Sequence, residues 1–206
     1  MTVRRIKGRG LIFRDVPLAH YRLLQQIGVH ADPAGSRAAD ERLYQDAAHD
    51  PDDPGADDIN ADWREYTLPD FREQFSRQID TVQADLAAAR EKPGTSEGPF
   101  HDVTVPLDHV DAWYGALNQA RLVMQERYRF PEKETPEALF ELLESENIGP
   151  YFTSRFYMEI QSVLLELGMD AGWGDEDEDE EGEGEKEDEK EKEDEKEDED
   201  EDDVPF

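Results

Sequence analysis

The chain has 206 residues, 54 of them acidic and 22 basic, for a formal net charge of −32, and it contains no cysteine. That excludes a disulfide framework, a thiol nucleophile and a cysteine-based zinc site, and no run approaches the roughly 18 apolar residues of a membrane span. Residues 175–203 hold 23 acids and 4 lysines, so a body of ordinary composition, long enough to bury a core, precedes a self-repelling tail that is expected to stay disordered.

Along the chain, the first fourteen residues carry Arg4, Arg5, Lys7, Arg9 and Arg14 and no acid. "VRRI", "KGRG" and "LIFRDV" read as two short strands around a turn in which Gly8 and Gly10 permit positive φ, giving a hairpin over 1–14. Pro17 opens "PLAHYRLLQQIG", whose Leu18, Tyr21, Leu24 and Ile27 follow helical spacing, with Gly28 as the stop. Residues 29–58 form a polar insertion broken by Pro33, Gly35, Pro51, Pro54 and Gly55. A short helix anchored by Leu43 and Tyr44 is expected inside it.

A further short helix ends near Tyr66. Thr67 and Asp70, with Pro69 between them, carry the spacing of a capping box and predict a new helix start. Phe71, Phe75, Ile79, Val82, Leu86 and Ala89 then step by three and four, the stripe of a long amphipathic helix. "EKPGTSEGPF" reads as a linker. Pro106, Asp108 and Asp111 introduce a helix whose main face is Val110, Trp113, Tyr114, Leu117, Ala120, Met124 and Tyr128. Thr135 and Pro136 start another helix, "NIGP" breaks it, and a last one carries Phe152, Phe156, Ile160, Val163, Leu164 and Leu167.

Little here points to catalysis. No glycine-flanked serine of nucleophile-elbow type and no P-loop occurs. "GRGLIF" lacks the third glycine of a dinucleotide fingerprint. "HDVTVPLDH" brackets His101 and His109, but not at the i, i+4 spacing of a helical zinc site. No cofactor is expected. The basic N-terminus faces a body and tail that repel phosphate, so nucleic acid is an unfavoured partner.

The polar residues that interrupt "AWYGALNQARLVMQERY" are the more informative. Asn118 and Arg121 lie three apart on one helix face, with Gln125 a turn later. One reading is a clamp between helices, for which Glu65, Asp70 and Glu73 offer acceptors. The other is a groove in which Arg121 meets a partner's carboxylate or phosphate, lined also by Arg64 and Arg72.

"WREYTLPDFR" and "AWYGALNQARLVMQERYRF" together resemble the bacterial domain-of-unknown-function family twenty-seventeen. Arg64, Thr67 and Arg72 fit its first motif. Trp113, Ala116, Leu117, Asn118, Arg121, Leu122 and Arg127 fit its second, and Gln161 its closing helix. The match in order runs over about residues 3–168. Gly115 stands where the family's motif has Arg, and the proline-rich loop and acidic tail look like additions. The resemblance implies a helical fold with a basic N-terminal strand pair and no assigned activity. Members are often encoded beside the adaptor of the Clp protease, which implies a setting in protein turnover.

The expectation is therefore a mainly α protein. Five to seven helices and the short N-terminal hairpin make up residues 1–170, and the acidic tail makes up 171–206. Function is expected to be a non-enzymatic, cytoplasmic protein-interaction or regulatory module without membrane contact. The alternative is an uncharacterised enzyme or a nucleic-acid-associated regulator with the tail as charge mimic. Arg64, Arg72, Asn118, Arg121 and Arg127 are the candidate partner contacts or clamp residues.

Overall fold

The computed structural model describes residues 1–169 apart from 7, 49, 51–53 and 132. All of these lie in the first of the two units into which the chain divides, Met1–Gly174. The expected disordered tail, 171–206, lies outside the described residues, as do part of the proline-rich loop and one residue of the N-terminal turn.

The described part is mostly helical and opens with the expected antiparallel hairpin, β1 (Thr2–Ile6) and β2 (Gly10–Pro17). It is not all-α. The stretch read as a linker forms a second hairpin, β3 (Arg90–Thr95) and β4 (Gly98–Pro106), giving a four-stranded antiparallel sheet in the order β1-β2-β4-β3. Pro93, Gly94, Gly98 and Pro99 hid these strands, because such residues normally end a ladder. Pro93 is tolerated because β3 is an edge strand. The visible signal was the alternation in β4, where His101, Val103 and Val105 are buried and Thr104 between the valines is exposed.

One face of the sheet is covered and the other is solvated, as antiparallel sheets allow. Leu11, Phe13, Val16, Val103 and Val105 are almost fully buried and belong to the main core cluster. The β2–β4 register changes between Phe13 and Val16, with Asp15 at φ 53°. Its N–H donates to Asp102 Oδ1 at 3.0 Å, and Lys92 Nζ reaches both carboxylates at 2.6 and 3.2 Å. Asp102 is thereby held below the usual carboxylate range. Its desolvation works against this and is outweighed by the backbone and Lys92 hydrogen bonds.

The helices are α1 (Leu18–Gln25), α2 (Ile27–Ala31), α3 (Arg37–Leu43), α4 (Ala56–Asp62), α5 (Leu68–Ala87), α6 (Val110–Tyr128), α7 (Pro136–Leu143) and α8 (Ile148–Met169). α4 and α5 are joined without a break by a π-helical turn, Trp63–Thr67, so seven helical rods occupy the described residues. None is long and apolar enough to cross a membrane. α6 is the centre of the helical layer and packs against α2, α3, α5 and α8. Its Trp113, Ala116, Leu117, Ala120 and Val123 are fully buried, and Trp113 lies over Phe13 with ring centroids 6.2 Å apart.

Three local expectations change. Gly28 does not stop a helix but sits inside α2, where an added Cβ would lie 3.2 Å from Ile79 of α5. It is a point of close helix approach. Tyr114, expected on the buried face of α6, is exposed. The capping box at Thr67 does not form, because Thr67 is itself helical and its side chain caps nothing. By contrast, Ser36 and Thr135 do cap α3 and α7, accepting from Ala39 N and Ala138 N.

Candidate functional site

The polar residues picked out in the sequence do not converge on one place. Arg121 is half-buried on α6, and its Nη1 donates to Gln161 Oε1 of α8. Gln161 is itself buried and donates from Nε2 to the Tyr114 carbonyl at 3.1 Å. The acceptor is thus a neutral amide on the last helix rather than the offered Glu65, Asp70 or Glu73. Burial lowers the Arg121 pKa, partly opposed by Tyr114 and reinforced by Arg155, and Arg121 Nε is buried without a partner.

Arg127 reaches another element, donating from Nη2 to the Asp32 and Ala34 carbonyls at 2.8 and 3.4 Å. It fastens the loop after α2 to the end of α6. Arg64 grips Asp46 with two nitrogens, Nε at 2.9 Å from Oδ1 and Nη2 on Oδ2. Arg72 lies 3.7 Å from Asp40 and 4.7 Å above the Tyr44 ring. Asn118 is half-buried. Arg64 and Arg72 therefore belong to the seam between α3 with its following loop and the α4–α5 rod. They do not share a groove with Arg121.

That seam carries a feature the sequence did not announce. Pro69 has no N–H to give the Glu65 carbonyl, and its ring would collide with that carbonyl in a regular helix. The chain answers by widening, and Leu68 N–H bonds instead to Trp63 O across the π turn. The extra residue brings Trp63 and Phe71 onto one side, with ring centroids 5.3 Å apart. Phe71 meets Phe75 at 6.2 Å, and Phe75 meets Tyr44 of the α3 side at 5.8 Å. The result is a row of four aromatic rings with the Arg72 guanidinium stacked at its end.

Much of this row and its borders is open to solvent. Phe71 is 39% exposed, Ile59 one turn before Trp63 is 48%, and Tyr66 within the π turn is 66%. The Trp63 indole Nε1, by contrast, is buried and has no hydrogen-bond partner. The charge around the row is negative. Asp57, Asp58, Asp62, Glu65 and Asp70 are all exposed and enter no ion pair among the described residues, whereas Arg64 and Arg72 are already matched to Asp46 and Asp40. A second set of exposed apolar residues, Phe140 and Leu143 on α7 and Phe152 on α8, lies elsewhere.

A carboxylate–imidazole pair also occurs. Asp85 of α5 accepts from His109 Nδ1 at 3.0 Å and from the indole Nε1 of the fully buried Trp113 at 2.8 Å. This fixes which ring nitrogen of His109 carries the proton. It also ties the start of α6 to α5. His101, the other histidine of "HDVTVPLDH", goes its own way and stacks on Tyr21 with centroids 3.8 Å apart. Among the described residues no group of three or more His, Asp or Glu side chains is arranged to hold a metal ion.

The family described as "Domain of unknown function (DUF2017)" matches residues 14–204, and the chain belongs to it. The match takes in the proline-rich loop and runs into the acidic segment, both of which the motif comparison had set apart as additions. No curated protein and no solved structure matches the chain.

Proposed function

We propose, proceeding from that membership, that the chain is a non-enzymatic, cytoplasmic protein-interaction module serving regulated proteolysis, and that its docking face is the aromatic row of α4 and α5. The observation that carries the docking face is the exposure of Ile59, Tyr66 and Phe71 along α4, the π turn and α5. Exposed aromatic side chains are prominent among the residues that dominate protein interfaces. Proline-induced widening of the helix holds them in place, so the face is preformed in the free chain. The setting in proteolysis rests on the family's association with the Clp adaptor alone.

In this reading Arg64 and Arg72 brace the face through Asp46, Asp40 and Tyr44, and Arg121 and Arg127 hold the helical layer together. Affinity capture comparing the wild-type chain with a Tyr66→Ser/Phe71→Ser variant tests it. A partner retained by the wild type and lost with the variant is the expected result. A partner set unchanged by the variant would remove the aromatic row from the function.

A further inference from the structure

The aromatic face has a charge as well as a shape, and the two together specify what can lie on it. Along α4, the π turn and the start of α5, five exposed acids, Asp57, Asp58, Asp62, Glu65 and Asp70, have no ion pair among the described residues. The two arginines of the same stretch are withdrawn from the balance, Arg64 by Asp46 and Arg72 by Asp40 and the Tyr44 ring. The stretch therefore presents exposed apolar side chains, flanked on the same rod by acids such as Asp62 and Asp70 that no cation compensates among the described residues. An acidic partner would meet like charge, and a wholly apolar one would leave the rim carboxylates facing a surface with nothing to pair them.

Resting on the docking reading above, we infer that the occupant is a basic amphipathic segment of a partner protein. Its apolar side chains cover Phe71, Trp63 and Ile59, and its lysines or arginines meet Asp62, Glu65 and Asp70. An amphipathic helix laid into an aromatic groove is an established recognition mode in which anchors at i, i+3 and i+4 fill the apolar centre. Rim acids of this kind raise the association rate and fix the choice of partner more than they deepen the affinity. The binding is accordingly salt-sensitive in rate, while its stability comes from the aromatic centre.

The test uses the full chain and three synthetic peptides. One is a helix of leucine and lysine with all leucines on one face. The second is its leucine–glutamate counterpart, and the third is a scrambled leucine–lysine peptide without a continuous apolar face. Fluorescence anisotropy at near-physiological salt reads the affinity. Circular dichroism and the urea midpoint confirm that each variant is folded. The acid-rich segment 175–203 is present in every variant, so its own attraction for lysine cancels in the comparison.

The expected result is saturable binding of the leucine–lysine helix, weakened at least about tenfold by Tyr66→Ser/Phe71→Ser. Asp62→Asn/Glu65→Gln should weaken it too and flatten its salt dependence, and Phe140→Ser on α7 should leave it unchanged. If Phe71→Ser fails to fold, Ile59→Ser serves in its place, since Ile59 is 48% exposed. Equal binding of the scrambled peptide, or of the helix to all variants, would overturn the inference as attraction to bulk negative charge. Binding of the leucine–glutamate helix that depends on Tyr66 and Phe71 would overturn the basic partner and leave the docking face standing. No variant-sensitive binding of any amphipathic helix would overturn both.

Discussion

The clamp between α6 and α8 gives the sharpest prediction about stability. Gln161 is 3% exposed and supplies the acceptor that Arg121 Nη1 uses. Gln161→Leu leaves a half-buried guanidinium with two nitrogens short of acceptors, since Nε is already unmatched. A hydrogen bond to a charged group contributes about 1.5–3 kcal/mol. Water still reaches part of Arg121, and leucine recovers some burial, so the net loss should be about 1–2 kcal/mol. Arg121→Met keeps the aliphatic stem and removes the desolvated charge, leaving only a neutral amide unpaired, which costs about 1 kcal/mol.

The double variant removes both polar partners together. It should return to within about 0.5 kcal/mol of wild type or exceed it, as buried polar pairs replaced by apolar groups commonly do. Urea unfolding followed by tryptophan fluorescence gives the three differences. The expected coupling is at least about 1 kcal/mol in favour of the pair of changes. Simple additivity of the two single variants would refute the clamp. A Gln161→Leu variant as stable as wild type would do the same. Either result would return Arg121 to the list of residues free to meet a partner.

Asp85→Ala should cost about 2 kcal/mol in the same assay, because the fully buried Trp113 indole loses its only acceptor. His109→Ala should cost less, since its ring is partly exposed and Trp113 keeps its bond. Gly10 sits at φ +121°, and a Cβ there would lie 2.1 Å from the Val105 carbonyl oxygen. Gly10→Ala should therefore destabilise by about 3 kcal/mol or more, read as a lowered urea midpoint. His30 donates from Nδ1 to Tyr157 Oη at 2.8 Å, and the Tyr157 hydroxyl in turn donates to the Leu23 carbonyl at 2.6 Å. Burial first and Arg127 second lower the His30 pKa below 6.5. Between that folded value and 6.5 the unfolded chain binds more protons, so the contribution of His30 is present above pH 6.5 and is lost as pH falls. His30→Gln keeps a donor and cannot titrate, so the wild type should lose more stability than the variant on acidification below pH 6.5. Parallel pH profiles would disprove the assignment.

Much of the helical layer could be read from periodicity. The stripe from Phe71 to Ala89, the Trp113–Met124 face and the Thr135–Pro136 start all rest on local rules that hold wherever the helix packs. The second hairpin could not be read in the same way. Pro93, Gly94 and Gly98 carry breaker signals, and only β4 beside β2 makes β3 an edge strand on which those signals are harmless. The candidate residues divide similarly. That Arg64, Arg72, Arg121 and Arg127 would need acceptors follows from their chemistry, but which acceptor each finds depends on how the rods are laid against one another. Arg121 meets Gln161 across forty residues of chain, and Arg127 meets the carbonyls of Asp32 and Ala34 across more than ninety.

The sequence alone determined the charge of the chain, its lack of thiol chemistry, the phase of its long helices and the cap at Thr135, because these depend on residue type or on neighbours within a turn. Tertiary structure decided the second hairpin and its pairing with the first, the partners of every candidate arginine and the aromatic face. Pro69 shows why. Read locally it begins a helix. In the folded chain the helix continues through it by opening a π turn, with Asn60 on Ala48 and Arg64 on Asp46 holding the part before the proline and the packing of α5 on α6 and of Phe75 on Tyr44 holding the part after it. A proline's own geometry forbids one hydrogen bond, and only the surrounding contacts settle whether the chain breaks there or bends its ladder to pass.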